Sequence, residues 1–378
     1  MSNPMNVEVR SQVDADGRLT LGLHTFALAP LAADELLVRI EAAPLNPSDQ
    51  ILLLGGVDVA TLQERRDDDH VLIQGTVPPA RLAALAARLG QSLAVGNEGA
   101  GTVVAAGSDV AAYMGRIVAL RAASGTFAHY QAIRARDCIV LPEGATARDG
   151  AAAFINPLTA LGMVETLQRE GHRGLVHTAA ASNLGQMLNR LCLADGVPLV
   201  NIVRSPAQAA LLQAQGAVHV LDSNADDFHD ALLAALAATG ATLAFDAIGG
   251  GTLAGRLLAA METVAARDVT GFSRYGSRVH KQVYSYGVLD GGPRVLEGQF
   301  GSAWGIGGWL MTWFYERLPA ADVARLRARV AAELTTTFAS SYAAGIGLKE
   351  MLTLDAIQAF TRKATGAKFL VLPQKEAA

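Results

Sequence analysis

The chain has 378 residues, more than one hydrophobic core usually serves, so two domains are expected. Apolar residues make up 51 % and charged residues 17 %, which excludes a disordered chain, and a net charge of −4 argues against a surface built for nucleic acid or anionic lipid. Two cysteines, Cys138 and Cys192, are too few for a disulfide framework or a cysteine-rich zinc site. With no cationic apolar leader and no apolar run of membrane length, a cytoplasmic protein is expected.

The first part reads as β-rich. Short β-prone runs at Leu36–Ile40, Gly101–Ala105, Arg116–Leu120 and Phe127–Ile133 are separated by Gly, Pro, Asn and Asp. Between them, Asp58–Leu93 carries the charge cluster Glu64–Asp69 and a helix-like "ARLAALAARLG". That stretch reads as an insertion over one mouth of a substrate cleft, its leucines packed on the β-rich part. From about Gly174, short apolar runs alternate with helical patterns, as parallel βαβ units do. Gly174–Thr178, Pro198–Val203, Val218–Leu221, Thr242–Ile248 and Gln282–Val288 read as strands. Leu184, Met187, Leu188, Leu191 and Cys192 form one helix face, and Ser205-Pro206 supplies an N-cap with proline behind it. Trp304–Arg317 is the most aromatic stretch, with Trp309 and Trp313 one helical turn apart. It suits a core or a subunit interface.

The turn after Gly174–Thr178 reads "TAAASNLGQ". A dinucleotide turn needs a tight reversal, a backbone that approaches pyrophosphate, and a helix packed closely on its strand. In the G-x-G-x-x-G spacing those positions are Ala180, Ser182 and Gly185. Ser182 fits if its φ is negative, with a hydroxyl free to donate to phosphate. The helix N-terminus behind it offers N–H groups and a positive dipole end. The second strand ends in Val203-Arg204-Ser205, where an NAD site normally places a carboxylate. Arginine there suits a 2′-phosphate, the alternative being a solvated surface side chain.

Several motifs recur in order: "APLNPSDQ" (Ala43–Gln50), "GNEGAGTVVAAGSDV" (Gly96–Val110), "INPLTALGMV" (Ile155–Val164), the turn itself, "FDAIGGG" (Phe245–Gly251) and "KATGAKFLVLP" (Lys363–Pro373). Together they resemble the medium-chain dehydrogenase/reductase superfamily, in its zinc-free quinone oxidoreductase and enoyl reductase branch. The resemblance implies an α/β protein: a GroES-like β-barrel catalytic domain at 1–150 and 301–378, and a Rossmann doubly wound parallel-sheet coenzyme domain at 151–300. It also implies a homodimer, and an NADPH site in the cleft between the domains. By the same resemblance Asn46 is the catalytic candidate and a cofactor contact, with its alternative role that of an Asn-Pro turn residue. The other implied cofactor contacts are Thr159, Ala180, Ala181, Ser182, Asn183, Leu184, Gly185, Arg204, Ser205, Ile248, Gly249, Tyr286 and Gly287.

The departures from zinc-dependent relatives bear on chemistry. Asn46 and Asn97 stand where those relatives carry cysteine and histidine, no cysteine lies near Asn156, and the cysteine-rich structural lobe is missing. Neutral amides are poor zinc ligands, so no metal is expected. Without a Lewis acid, hydride transfer suits acceptors already activated by conjugation, such as quinones and α,β-unsaturated carbonyls. The proton-donating tyrosine of enoyl thioester reductases is absent from Gln50–Asp58, which weakens that alternative. A crystallin-like cofactor binder without turnover is a third reading.

Overall fold

A computed structural model describes residues 5–67, 70–361 and 368–376. The chain divides into two units, 1–155 with 327–378, and 156–326. The second unit therefore reaches Leu326, beyond the boundary at 300 that the resemblance implies. The reason is a strand that the aromatic stretch conceals.

The first unit holds two sheets. One has five strands in the order Gln63–Asp67, His70–Thr76, Arg18–Ala27, Met5–Val13 and Ser92–Ala94. The other runs Cys138–Val140, Ile117–Arg121, Glu98–Ala106, Glu35–Pro44, Phe369–Val371 and Ala344–Ile346, with Tyr130–Arg134 also paired to Glu35–Pro44. Alternating residues such as Leu36, Val38 and Ile40 point into a shared core with Val103, Val118 and Leu120. Glu35–Pro44 outlasts its apolar run because register shifts near Ile40 keep it paired with Glu98–Ala106. Gly101 is required at that crossing, since a Cβ there would lie 1.8 Å from the Arg39 carbonyl oxygen. The 58–93 stretch is part of this unit: the antiparallel strands Gln63–Asp67 and His70–Thr76, then a turn of helix at Pro79–Leu82 that tightens to a 3₁₀ segment at Ala83–Arg88. Leu82, Leu85 and Leu89 do pack on the barrel core, as their spacing implies. Asp68 and Asp69 of the charge cluster, and 363–367 of the terminal motif, lie outside the described residues.

The second unit is a six-stranded parallel sheet. Its order is His219–Asp222, Leu199–Val203, Leu175–Thr178, Leu243–Asp246, Lys281–Ser285 and Trp304–Gly308. Numbered by first appearance this is 3-2-1-4-5-6, the doubly wound order whose switch point lies beside Leu175–Thr178. Val176, Val200, Ala244 and Val283 pack against helices Phe228–Thr239 and Leu253–Ala265. The aromatic stripe is not one helix. Trp304–Gly308 is the sixth strand, Trp309 is buried beyond it, and helix starts only at Met311. Pairing with Lys281–Ser285 takes 304–308 into the sheet, so of the spaced pair Trp309 and Trp313 only Trp313 lies in a helix.

Candidate active site

The turn after Leu175–Thr178 has the shape its spacing implies. Ser182 has φ −65° and caps the helix Asn183–Asp195, its Oγ accepting from the Gly185 N–H at 3.1 Å. That bond leaves the Ser182 hydroxyl hydrogen to donate elsewhere. Gly185 does the close-packing work: a Cβ there would stand 2.1 Å from the Ala180 carbonyl oxygen. Ala180, Ala181 and Leu184 are buried, so they shape the turn rather than reach a ligand with their side chains. Ala179 has φ +53°, the one positive φ outside glycine among the described residues. An alanine there stores about 1–2 kcal/mol of strain in a conformation that glycine adopts freely.

A second layer holds the neighbouring loop. Thr178 Oγ1 donates to Asp246 Oδ1 at 2.8 Å and accepts from the Ala247 N–H at 2.8 Å. Asp246 in turn accepts from the N–H groups of Ile248 and Gly249, both at 3.0 Å. One buried carboxylate thus joins the turn to the 247–249 loop across the switch point. Past the second strand, Arg204 is exposed and its guanidinium makes no ion pair with any described residue. Its backbone is fixed on both sides, by Gln208 Oε1 on its N–H and Asn224 Nδ2 on its carbonyl. Ser205 caps the next helix, accepting from the Gln208 N–H.

At the ends of Lys281–Ser285 and Trp304–Gly308 lies a cavity of about 450 Å³, lined by Ser285–Val288, Gly308–Leu310 and Trp313. Tyr286 and Gly287 are on its wall. The Tyr286 hydroxyl, however, points inward to His177 Nε2 at 2.7 Å. Burial holds His177 neutral, its pKa pushed down to about 3. Thr159 is buried in the helix Ile155–Glu170.

In the first unit Asn46 caps the helix Pro47–Leu54 and is only 3 % exposed. Its Nδ2 donates to Glu98 Oε1 at 2.8 Å, and its N–H donates to Asp49 Oδ2 at 2.8 Å. Asp49 Oδ1 accepts from the Asn97 N–H at 2.9 Å, and Asn97 Nδ2 donates to Ser48 Oγ. Burial, opposed by the Asn46 N–H and reinforced by the Glu98 charge, pushes the Asp49 carboxyl up to about 7. Both asparagine amides are thus hydrogen-bonded within the loop pair. Patterning by residue type missed Asp49, Glu98, Asp246, Trp309 and Leu310. Asp49, Glu98 and Asp246 did stand inside the quoted motifs, Glu98 at a strand's start and Asp246 at a strand's end.

A two-unit chain with this strand order, turn and barrel has the fold of the medium-chain dehydrogenase/reductase superfamily. Its neighbours are quinone reductases and enoyl reductases. The chain is similar to a quinone oxidoreductase of Pseudomonas aeruginosa, 28 % identical over 131 residues, which are 34 % of this chain and 40 % of that one. It is 26 % identical to an NADPH quinone oxidoreductase of Kluyveromyces marxianus over 201 residues, 52 % of this chain and 48 % of that one. The matched stretches thus span less than half the length of these relatives. A Mesorhizobium loti protein proposed to be an NADPH:quinone reductase superposes with a TM-score of 0.73 at 22 % identity, covering 99 % of this chain and all of that one. No family model matches. At these identities the superposition shows a shared fold.

Proposed function

We propose that the protein is an NADPH-dependent oxidoreductase acting on quinones or α,β-unsaturated carbonyls. The observation that carries this reading is the switch-point turn with an unpaired Arg204, and no carboxylate, at the end of the second strand. The residues fit the cofactor. Ser182 and the first turn of Asn183–Asp195 would take the pyrophosphate, and Arg204 with Ser205 the 2′-phosphate. Ile248, Gly249, Tyr286 and Gly287 lie on strand ends that would flank the nicotinamide half, with Trp309 and Leu310 beside the last two. When bound, NADPH supplies a hydride; Asn46 would orient the reacting groups.

Metal-independent turnover follows from the amides at Asn46 and Asn97, neither of which is a good zinc donor. Unpaired Cys138 and Cys192 suit the cytoplasm; among the described residues no helix is long and apolar enough to cross a membrane. A homodimer is supported by the Trp304–Gly308 edge strand, paired on one side among the described strands and flanked by exposed Leu310 and Trp313. Stopped-flow mixing of enzyme, NADPH or NADH, and a panel of small quinones and enones tests the activity. NADPH oxidation unaffected by prior dialysis against a zinc chelator is expected. Preference for NADH, or no oxidation with any acceptor, would sink the reading. Light scattering gives the subunit number.

A further inference from the structure

We propose that Glu98 is a positioning residue for Asn46, holding its carboxamide in one orientation through an acceptor-only clamp. The inference rests on Asn46 serving turnover, as proposed above. Glu98 is fully buried at the start of its strand. Its Oε1 accepts from Asn46 Nδ2 at 2.8 Å, and its Oε2 accepts from the N–H groups of Phe154 at 3.0 Å and Ile155 at 2.8 Å. Three donors converge on one carboxylate, and none of its contacts is an acceptor.

A cation completes the arrangement. The Lys368 ammonium is buried and hydrogen-bonds to no described residue. It lies 5.9 Å from the centre of the Tyr342 ring, and its charge acts on Glu98 and Asp49. Burial pushes the Glu98 carboxyl up, while Lys368 and the three donors pull it back toward the ionised form. Burial lowers the Lys368 pKa too, and the charges of Glu98 and Asp49 oppose that.

The clamp decides which way Asn46 faces. A carboxamide has one donor end and one acceptor end, and Glu98 takes only the donor end. The Asn46 amide is therefore turned the same way in every molecule, before any ligand arrives. Glutamine at 98 has nearly the shape of glutamate but a single acceptor oxygen. It can serve Phe154 and Ile155 or Asn46, but not both, because its NH₂ would then face a donor. The backbone pair should win, and Asn46 should lose its anchor.

Steady-state kinetics on wild type, Glu98→Gln, Asn46→Ala and the double variant test this, with thermal unfolding run alongside. Glu98→Gln should lower kcat about 10-fold or more, as small misplacements near reacting groups do, with KM for NADPH changed less than about 3-fold. In the Asn46→Ala background the same substitution should change kcat by less than about 2-fold, because its effect passes through Asn46. Equal losses in both backgrounds would mean a structural role and overturn the inference. If Asn46→Ala alone leaves kcat unchanged, the proposed role of Asn46 fails instead. Should Glu98→Gln not fold, Glu98→Asp keeps the charge but withdraws the carboxylate from Asn46 by one methylene; a similar kcat loss that disappears in the Asn46→Ala background is expected, and full activity overturns the clamp.

Discussion

Two regions of the molecule, the 178–185 turn and the Asn46–Glu98 cluster, are built on opposite principles. The turn has lost glycines yet keeps its backbone path. Ala179 accepts a left-handed conformation and Gly185 keeps the close approach, so main-chain geometry survives a change of residue type. The cluster carries amides where zinc-dependent relatives carry metal ligands, and there no shape is left to preserve. Its order comes from a buried carboxylate with three donors and a nearby ammonium. Backbone function tolerates substitution when the surroundings absorb modest strain. Side-chain chemistry does not, and has been replaced by different chemistry.

The contrast predicts unequal responses to mutation. The largest should come from the cluster. Glu98→Ala strands three buried donors and an ammonium, and should cost about 3–5 kcal/mol in urea unfolding. A cost below about 1 kcal/mol would mean that water or rearrangement replaces the clamp.

Next comes a pH effect confined to the second unit, where all three tryptophans reside. His177 has its pKa lowered from 6.5 to about 3 by burial, so the unfolded chain takes up a proton that the folded one refuses. The stability it confers is fully present above about pH 6.5 and is lost as pH falls toward 3, at up to roughly 1.4 kcal/mol per pH unit. Asp49 works the other way: its raised pKa gives stability that is full below about 4 and lost as pH rises through about 7. Tryptophan fluorescence should therefore show the second unit weakening in acid. A transition midpoint flat between pH 6.5 and 4 would show that His177 is not held neutral.

On the turn side, Arg204→Ala should weaken NADPH binding by about 10- to 100-fold, or roughly 1.5–3 kcal/mol, and leave NADH nearly unchanged. Isothermal titration at two salt concentrations checks both the loss and its screening. Equal losses for the two cofactors would place Arg204 at the pyrophosphate. The smallest effect should be a gain. Ala179→Gly relieves left-handed strain of about 1–2 kcal/mol against an entropy cost of about 0.5–1, for a net stabilisation of about 0.5–1 kcal/mol. A destabilised variant would show that the neighbours, not the turn, set the Ala179 conformation.

What the sequence determined by itself was local. Strand–helix alternation from Gly174, the Ser205-Pro206 cap, the small-residue turn and the cation at Arg204 are each encoded within a few residues, in periodicity, capping chemistry and side-chain size. Tertiary structure decided what depends on distant partners. Trp304–Gly308 became a strand because Lys281–Ser285 offered its edge, and Trp309, one helical turn before Trp313, stayed outside the helix that starts at Met311. Gln63–Asp67, a charged run without apolar alternation, is a strand because His70–Thr76 folds back on it. Glu98 became a clamp only when residues 52 and 56 positions away brought their donors to it, and His177 found Tyr286 across 109 residues. Hydrogen bonds of that reach leave no periodic trace along the chain, because their partners are set by the packing of sheets and not by the residues beside them.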